Sequence, residues 1–210
     1  MPSPLGHALG GLAAGWIVAG RPVGDGACAG RSALAPASGV ASWWGAVRRH
    51  PSARSAVWFG LLGTLPDIDF LFGSHSTYTH SVGAVVGIGL LVLAAGGRRH
   101  WRLALASALA YGTHVLFDWL GNDTSPPIGI MALWPVSDAF YQSEARVFEA
   151  ISRRYWLPGF LAHNARAVAW ELGMLVPLAA LAGRRRARPA WDRTDRATPP
   201  PAGAWQSPPR

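Results

Sequence analysis

Long apolar runs alternate with shorter polar stretches along this chain, and the runs set the expected architecture. Five stand out: Leu5 to Ala19, Ser55 to Phe72, Ser81 to Ala95, Leu103 to Leu120 and Ala167 to Ala182. They are rich in Ala, Leu and Gly and show little alternation of period two, so they predict helices rather than strands. Each is near, or a little short of, the roughly 20 residues that cross a bilayer. A helix satisfies its own backbone in lipid, which an open strand does not. The pattern therefore predicts an all-α integral membrane bundle of about five apolar helices. A buried helical bundle in a soluble protein is the competing reading. Pro66 interrupts the second run, because it brings no N–H to the helix ladder.

The intervening stretches differ in kind. Residues 21–42 are rich in Gly, Ala, Ser and Pro and read as a flexible loop. Residues 122–166 form the one long polar excursion, and its Trp134, Pro135, Phe140 and Tyr141 argue that it is ordered. Residues 184–210 open with a basic run and end Pro-rich, the signature of a disordered tail. This gives one domain over residues 1–183 followed by that tail. No internal repeat is evident.

Composition supports the membrane reading. Half the chain is apolar and 14% is charged, where ordinary soluble domains carry roughly 25% charged residues. The formal charge is +8, and every basic residue is Arg. The arginines flank the apolar runs, which fits membrane borders better than a nucleic-acid partner. The single Cys28 permits neither an intrachain disulfide nor a thiolate metal site. No basic residue precedes the first apolar run, so it does not read as a cleaved signal. Arg48, Arg49 and Arg54 precede run two, Arg98, Arg99 and Arg102 follow run three, and Arg184, Arg185, Arg186 and Arg188 follow run five. Keeping these groups in the cytoplasm requires five crossings, an outer N-terminus and a cytoplasmic C-terminus. Arg146, Arg153, Arg154 and Arg166 then lie outside, against the rule.

That topology gathers the ionisable residues of the apolar runs. His7 starts run one, Asp67 and Asp69 end run two, His75 and His80 lead into run three, and His114 and Asp118 end run four. All fall at one membrane face, whichever way the bundle is inserted. Ionisable groups in apolar segments are costly and mark functional sites. Imidazoles and carboxylates without thiolates are the ligands of a divalent-metal centre. His114 and Asp118, four apart, share a helix face and can ligate one metal or two adjacent ones; a hydrogen-bonded pair knitting helices is the bland alternative. Asp67 and Asp69 repel unless a cation or proton intervenes; N-capping by Asp67 is the alternative. His75 and His80 sit among Ser76, Thr77, Thr79 and Ser81, hydroxyls that can orient imidazoles or cap the next helix. Glu171, inside run five, is a further candidate, as a ligand or as a partner of Arg166. His50, His100 and His163 lie in basic or polar flanks and read as outside the site. Trp58, Trp101, Trp119, Trp134 and Trp170 read as interfacial anchors.

In order, Gly6-His7, Leu65-Pro66-Asp67-Ile68-Asp69, the pair His75 and His80 with Thr79 and Ser81, the pair His114 and Asp118, and Leu133-Trp134-Pro135 resemble the LexA-regulated, membrane-bound metal-dependent hydrolases of bacterial inner membranes. The resemblance covers roughly residues 5–182. The family pattern His-Arg-Gly-x-Thr-His-Ser is met with Ser76 in place of Arg and Thr77 in place of Gly. A more distant similarity is to the zinc-dependent phospholipase C and single-strand nuclease group, whose later His and Glu ligands have no clear match here.

The resemblance implies a multi-pass bacterial inner-membrane hydrolase, and the arginine placement puts its site on the outer face. Its expected substrate is a phosphoester, lipid-like from location alone, and its partner is the bilayer. The expected metal ligands are His7, Asp67, Asp69, His75, His80, His114 and Asp118, with Asp69 alternatively the general base. Zinc is the first expectation for the cofactor and manganese the second. The alternative is a non-enzymatic membrane protein with a structural metal site, or a small cation transporter.

Overall fold

A computed structural model describes residues 1–20, 51–72, 75–124 and 126–187. The expected loop at 21–42 and residues 188–210 of the expected tail lie outside the described residues. Five α-helices form, with no strand among the described residues: α1 (Pro4–Ala19), α2 (Pro51–Thr64), α3 (Val82–Gly96), α4 (Trp101–Leu120) and α5 (Phe160–Ala187). Three 3-10 turns join them, at Leu65–Phe72, Tyr78–His80 and Arg98–His100.

Local chemistry explains the boundaries. Ser3 caps α1, its hydroxyl accepting from the Gly6 N–H, and Pro4 occupies the first turn, where no N–H is needed. Ser81 caps α3 in the same way, accepting from the Ala84 N–H at 3.1 Å. Gly97, with φ of 72°, ends α3 by donating its N–H to the Leu93 carbonyl. α2 tightens into a 3-10 turn at Leu65, next to Pro66.

α1 is the hub and packs against α2, α4 and α5. Its contact with α2 is backbone to backbone. A Cβ placed on Gly11 would lie 2.5 Å from the Phe59 carbonyl oxygen, and one on Gly63 would lie 2.3 Å from that of His7. Trp16 Nε1 donates to Ser55 Oγ at the other end of the pair, so α1 and α2 run antiparallel. Arg186 reaches the Gly20 carbonyl while Glu171 reaches Ser3, so α1 and α5 run parallel. Phe59, Leu62, Ala106 and Ala110 form the core between α2 and α4.

The outside of the bundle is apolar. α3 has no buried residue, and its Leu90 and Leu91 are 59% and 67% exposed. Such a surface suits lipid. Two helical stretches are long and apolar enough to cross a membrane, Arg98–Leu120 and Phe160–Arg186. α1 and α3, with 16 and 15 residues, reach only about 24 Å of a roughly 30 Å hydrocarbon layer. Five crossings are therefore not established by helix length.

The fifth helix is longer than its apolar run. It begins at Phe160 rather than Ala167 and continues through Arg184, Arg185 and Arg186. The polar residues of its first turns bind the excursion: Asn164 pairs with the Ser152 backbone, His163 bonds the Ala150 carbonyl, and Arg166 pairs with Glu149. The three arginines in its last turn suit the negative end of the helix dipole. The excursion is ordered over its described residues. It buries Ile130, Met131 and Phe148, and it docks beside the start of α3, where Val82 and Gly83 donate to the Ala132 and Trp134 carbonyls.

Candidate metal centre

The start of α1, the turn after α2, the turn before α3 and the end of α4 meet at one end of the bundle. His7, His80, His114 and Asp118 are each 1% exposed or less, in the company of Asp67, Asp69 and His75. All seven sequence candidates thus come together.

The centre of the cluster is a triangle. His80 Nε2 and His114 Nε2 are 3.1 Å apart, and Asp118 Oδ2 lies 3.2 Å from the first and 3.1 Å from the second. Asp67 Oδ1 stands off this triangle, 3.6 Å from His114 Nε2 and 3.9 Å from His80 Nε2. His7 lies on the other side, its ring stacked on His114 at 3.6 Å and its Nε2 3.3 Å from Asp118 Oδ1. The two oxygens of Asp118 therefore face different imidazoles.

The ring nitrogens pointing away from the triangle have their own partners. His114 Nδ1 is 2.8 Å from the Gly63 carbonyl oxygen, which can only accept, so Nδ1 carries the proton. This carbonyl lies one turn before Pro66, which has no N–H to offer it. His80 Nδ1 lies 3.1 Å from Asp69 Oδ2. Asp69 also accepts from the Ser76 N–H, the Thr79 hydroxyl and His75 Nδ1. Burial alone would raise the Asp69 carboxyl; the hydrogen bonds with His80 and His75 outweigh it and hold it at about 2. Burial likewise pulls the His80 imidazole down, and the carboxylates of Asp118 and Asp69 reverse this, raising it to about 9.

This donor set fits a divalent cation. With the outer nitrogens hydrogen-bonded to oxygen, the two Nε2 atoms face each other at 3.1 Å, an arrangement that needs either a proton, as the raised His80 imidazole carries, or a cation between them. His7 Nδ1 is buried with no hydrogen-bond partner, and the buried oxygens of Asp118 are met only by imidazole nitrogens at 3.1–3.3 Å. Buried polar groups are ordinarily satisfied. Zinc bonds of about 2.0–2.2 Å place tetrahedral ligand atoms about 3.3 Å apart, close to the edges of the triangle. Three groups of facing ligand atoms can hold an ion among the described residues: His80 with His114 and Asp118, His7 with Asp67 and His114, and Asp67 with His75 and His80. Asp69 is in none of them, and its contacts place it behind His80 and His75.

Glu171 is buried elsewhere. It accepts from the backbone N–H and hydroxyl of Ser3 at the start of α1, and Arg166 pairs with Glu149 instead. Its burial within an apolar run was a sound signal, but its partner, a helix cap 168 residues away, had none. The Gly63 carbonyl was also beyond sequence reasoning, although Pro66 marked the place where backbone acceptors come free.

The family model described as YdjM inner membrane protein matches residues 1–188. The chain belongs to the YdjM inner membrane protein family. Membership and the two long apolar helices together place it in the membrane. No curated protein and no solved structure matches the chain. The YdjM family assignment carries the inner-membrane location and no reaction.

Proposed function

We propose that this YdjM-family protein is a membrane-bound, metal-dependent hydrolase acting on a phosphoester. The observation that carries the reading is the buried triangle of His80 Nε2, His114 Nε2 and Asp118 Oδ2, with edges of 3.1–3.2 Å. A divalent ion, zinc before manganese, would there lower the pKa of a water and neutralise charge on the phosphate. His80, His114 and Asp118 would hold the ion, and Asp118 turns its second oxygen to His7. Asp67, with a side chain 25% exposed, stands at the open side and can ligate or take a proton from the attacking water. Asp69 acts as a positioning residue: it fixes the orientation of His80 and His75, as carboxylates behind metal-ligating histidines do. This replaces the general-base role that its sequence position suggested.

The arginines at the far end of the bundle support the proposed orientation. Arg102 lies about 18 Å along α4 from His114, Arg98 and Arg99 sit in the turn just before that helix, and Arg184 to Arg186 end α5, which runs parallel to α1. Placing them in the cytoplasm puts the site on the outer face of the inner membrane. A structural metal site is the second reading, favoured by the near-complete burial of the triangle. Partly exposed Asp67 and His75 favour an open, catalytic centre.

The test is hydrolysis of bis(p-nitrophenyl) phosphate and p-nitrophenyl phosphate by detergent-purified protein. Turnover that chelation abolishes, added zinc or manganese restores and His114→Ala lacks is the expected result. Metal-replete protein inert toward both compounds and toward short-chain phospholipids would leave the structural reading.

A further inference from the structure

A cavity of about 720 Å³ opens beside the cluster, between the excursion and the start of α5, and His75 forms part of its wall. His75 is also one of the two cluster residues that reach the surface, its side chain 21% exposed. The cavity therefore meets the cluster on its His75 side.

Its charge is set by arginines. Arg153, Arg154 and Arg166 line it, together with Glu149 and Asp123. Arg166 is bound to Glu149 at 3.0 Å, so these two charges offset one another. Asp123 accepts from the Gly129 N–H. Arg153 and Arg154 are exposed, and among the described residues no carboxylate forms an ion pair with either.

Arg153 is also aimed. Its guanidinium lies 4.4 Å from the centre of the Phe70 ring, and the same ring stacks on His75 at 3.8 Å. One aromatic ring thus links the cation to the cluster and keeps it within about 8 Å of the His75 ring. A guanidinium resting on an aromatic face keeps its N–H fork free for an anion.

We infer that this cavity is an anion-binding site, in which Arg153, assisted by Arg154, grips a phosphate ester and presents it to the metal centre through the side lined by His75. The inference rests on the proposed function and names its substrate-binding residues. The bidentate fork of Arg matches two oxygens of a phosphate. The residues that follow Arg154 indicate where such a phosphate comes from. Tyr155 and Trp156, next in the chain, are 76% and 66% exposed, as aromatic residues are at the headgroup level of a membrane. A lipid headgroup and a free phosphate share this chemistry, and the experiment separates them.

The experiment is calorimetric titration of the metal-loaded, detergent-purified full chain with inorganic phosphate and with dihexanoyl phosphatidic acid. Dihexanoyl phosphatidylcholine, which carries no net charge, serves as the control. Both anions should bind the native protein, and Arg153→Ala should weaken them about tenfold or more, as loss of a charge-assisted pair implies. Arg153→Lys should recover part of the loss, and Arg99→Ala, at the opposite end of the bundle, should change nothing. Tighter binding of the phosphatidic acid than of inorganic phosphate assigns the site to a lipid headgroup; equal binding assigns it to the phosphate alone. Unchanged affinity in Arg153→Ala with its metal intact, or no binding of either anion by the native chain, overturns the inference. Arg153-dependent binding without turnover of any ester would uphold the anion site and remove the hydrolase reading.

Discussion

The chemistry is concentrated in a few side chains whose outer contacts fix their inner ones. His114 is held by a backbone carbonyl, and His80 by Asp69 and Thr79. Replacing Asp69 by Asn keeps the size but removes the charge that orients two imidazoles. We expect Asp69→Asn to fold and to lose about 10–100-fold in metal affinity, measured by competition with a chromogenic chelator. His114→Ala, which removes a vertex of the triangle, should lower affinity further. Equal affinity in Asp69→Asn and the native chain would remove the positioning role. At this scale the sequence was highly legible. Ionisable residues in apolar runs are costly enough to require a reason, and all seven candidates meet. What it concealed was the division of labour: Asp67 and Asp69 are alike in sequence, and only the fold shows that Asp69 is enclosed by hydrogen-bond donors while Asp67 remains partly open.

At the scale of elements, the site depends on close approach of α1 and α2. A Cβ on Gly63 would come within 2.3 Å of the His7 carbonyl oxygen, and a rigid backbone cannot yield as a side chain can. Gly63→Ala should therefore cost about 1–3 kcal/mol by overpacking and displace His7 and the carbonyl that holds His114. Thermal unfolding in detergent, with metal content measured in parallel, checks both effects. Gly87→Ala is the matched control: nothing lies within 4 Å of a Cβ there, and helix propensity alone favours Ala by up to about 1 kcal/mol. The apolar runs gave α1, α3 and α4 to within two residues, because these helices carry a nearly unbroken apolar signal along their length. They missed the first turns of α5, where His163, Asn164 and Arg166 bond the excursion rather than facing lipid.

At the scale of the whole molecule, two ends of one bundle are chemically opposite. Imidazoles and carboxylates meet at one end, beside Arg153, Arg154 and Arg166 of the cavity wall, while Arg98, Arg99, Arg102 and Arg184 to Arg186 border the other with no such cluster among the described residues. In a Cys28→Ser background, Tyr155→Cys should react with an impermeant maleimide from outside intact cells, and Arg99→Cys only after permeabilisation. Labelling of both from the same side would contradict the separation of the two faces, and the reverse pattern would invert the orientation. Arginine placement foreshadowed this polarity, but helix lengths alone establish two long spans.

The central claim is that the buried triangle binds a divalent metal. The most direct measurement is metal content by mass spectrometry of the detergent-purified protein, beside a His114→Ala/Asp118→Ala variant whose helicity is checked by circular dichroism. The account predicts at least stoichiometric zinc or manganese in the native chain and loss of it in a folded variant. No metal in the native protein, even after reconstitution with divalent ions, would contradict it and leave His80, His114 and Asp118 as a buried hydrogen-bonded cluster that ties helices together.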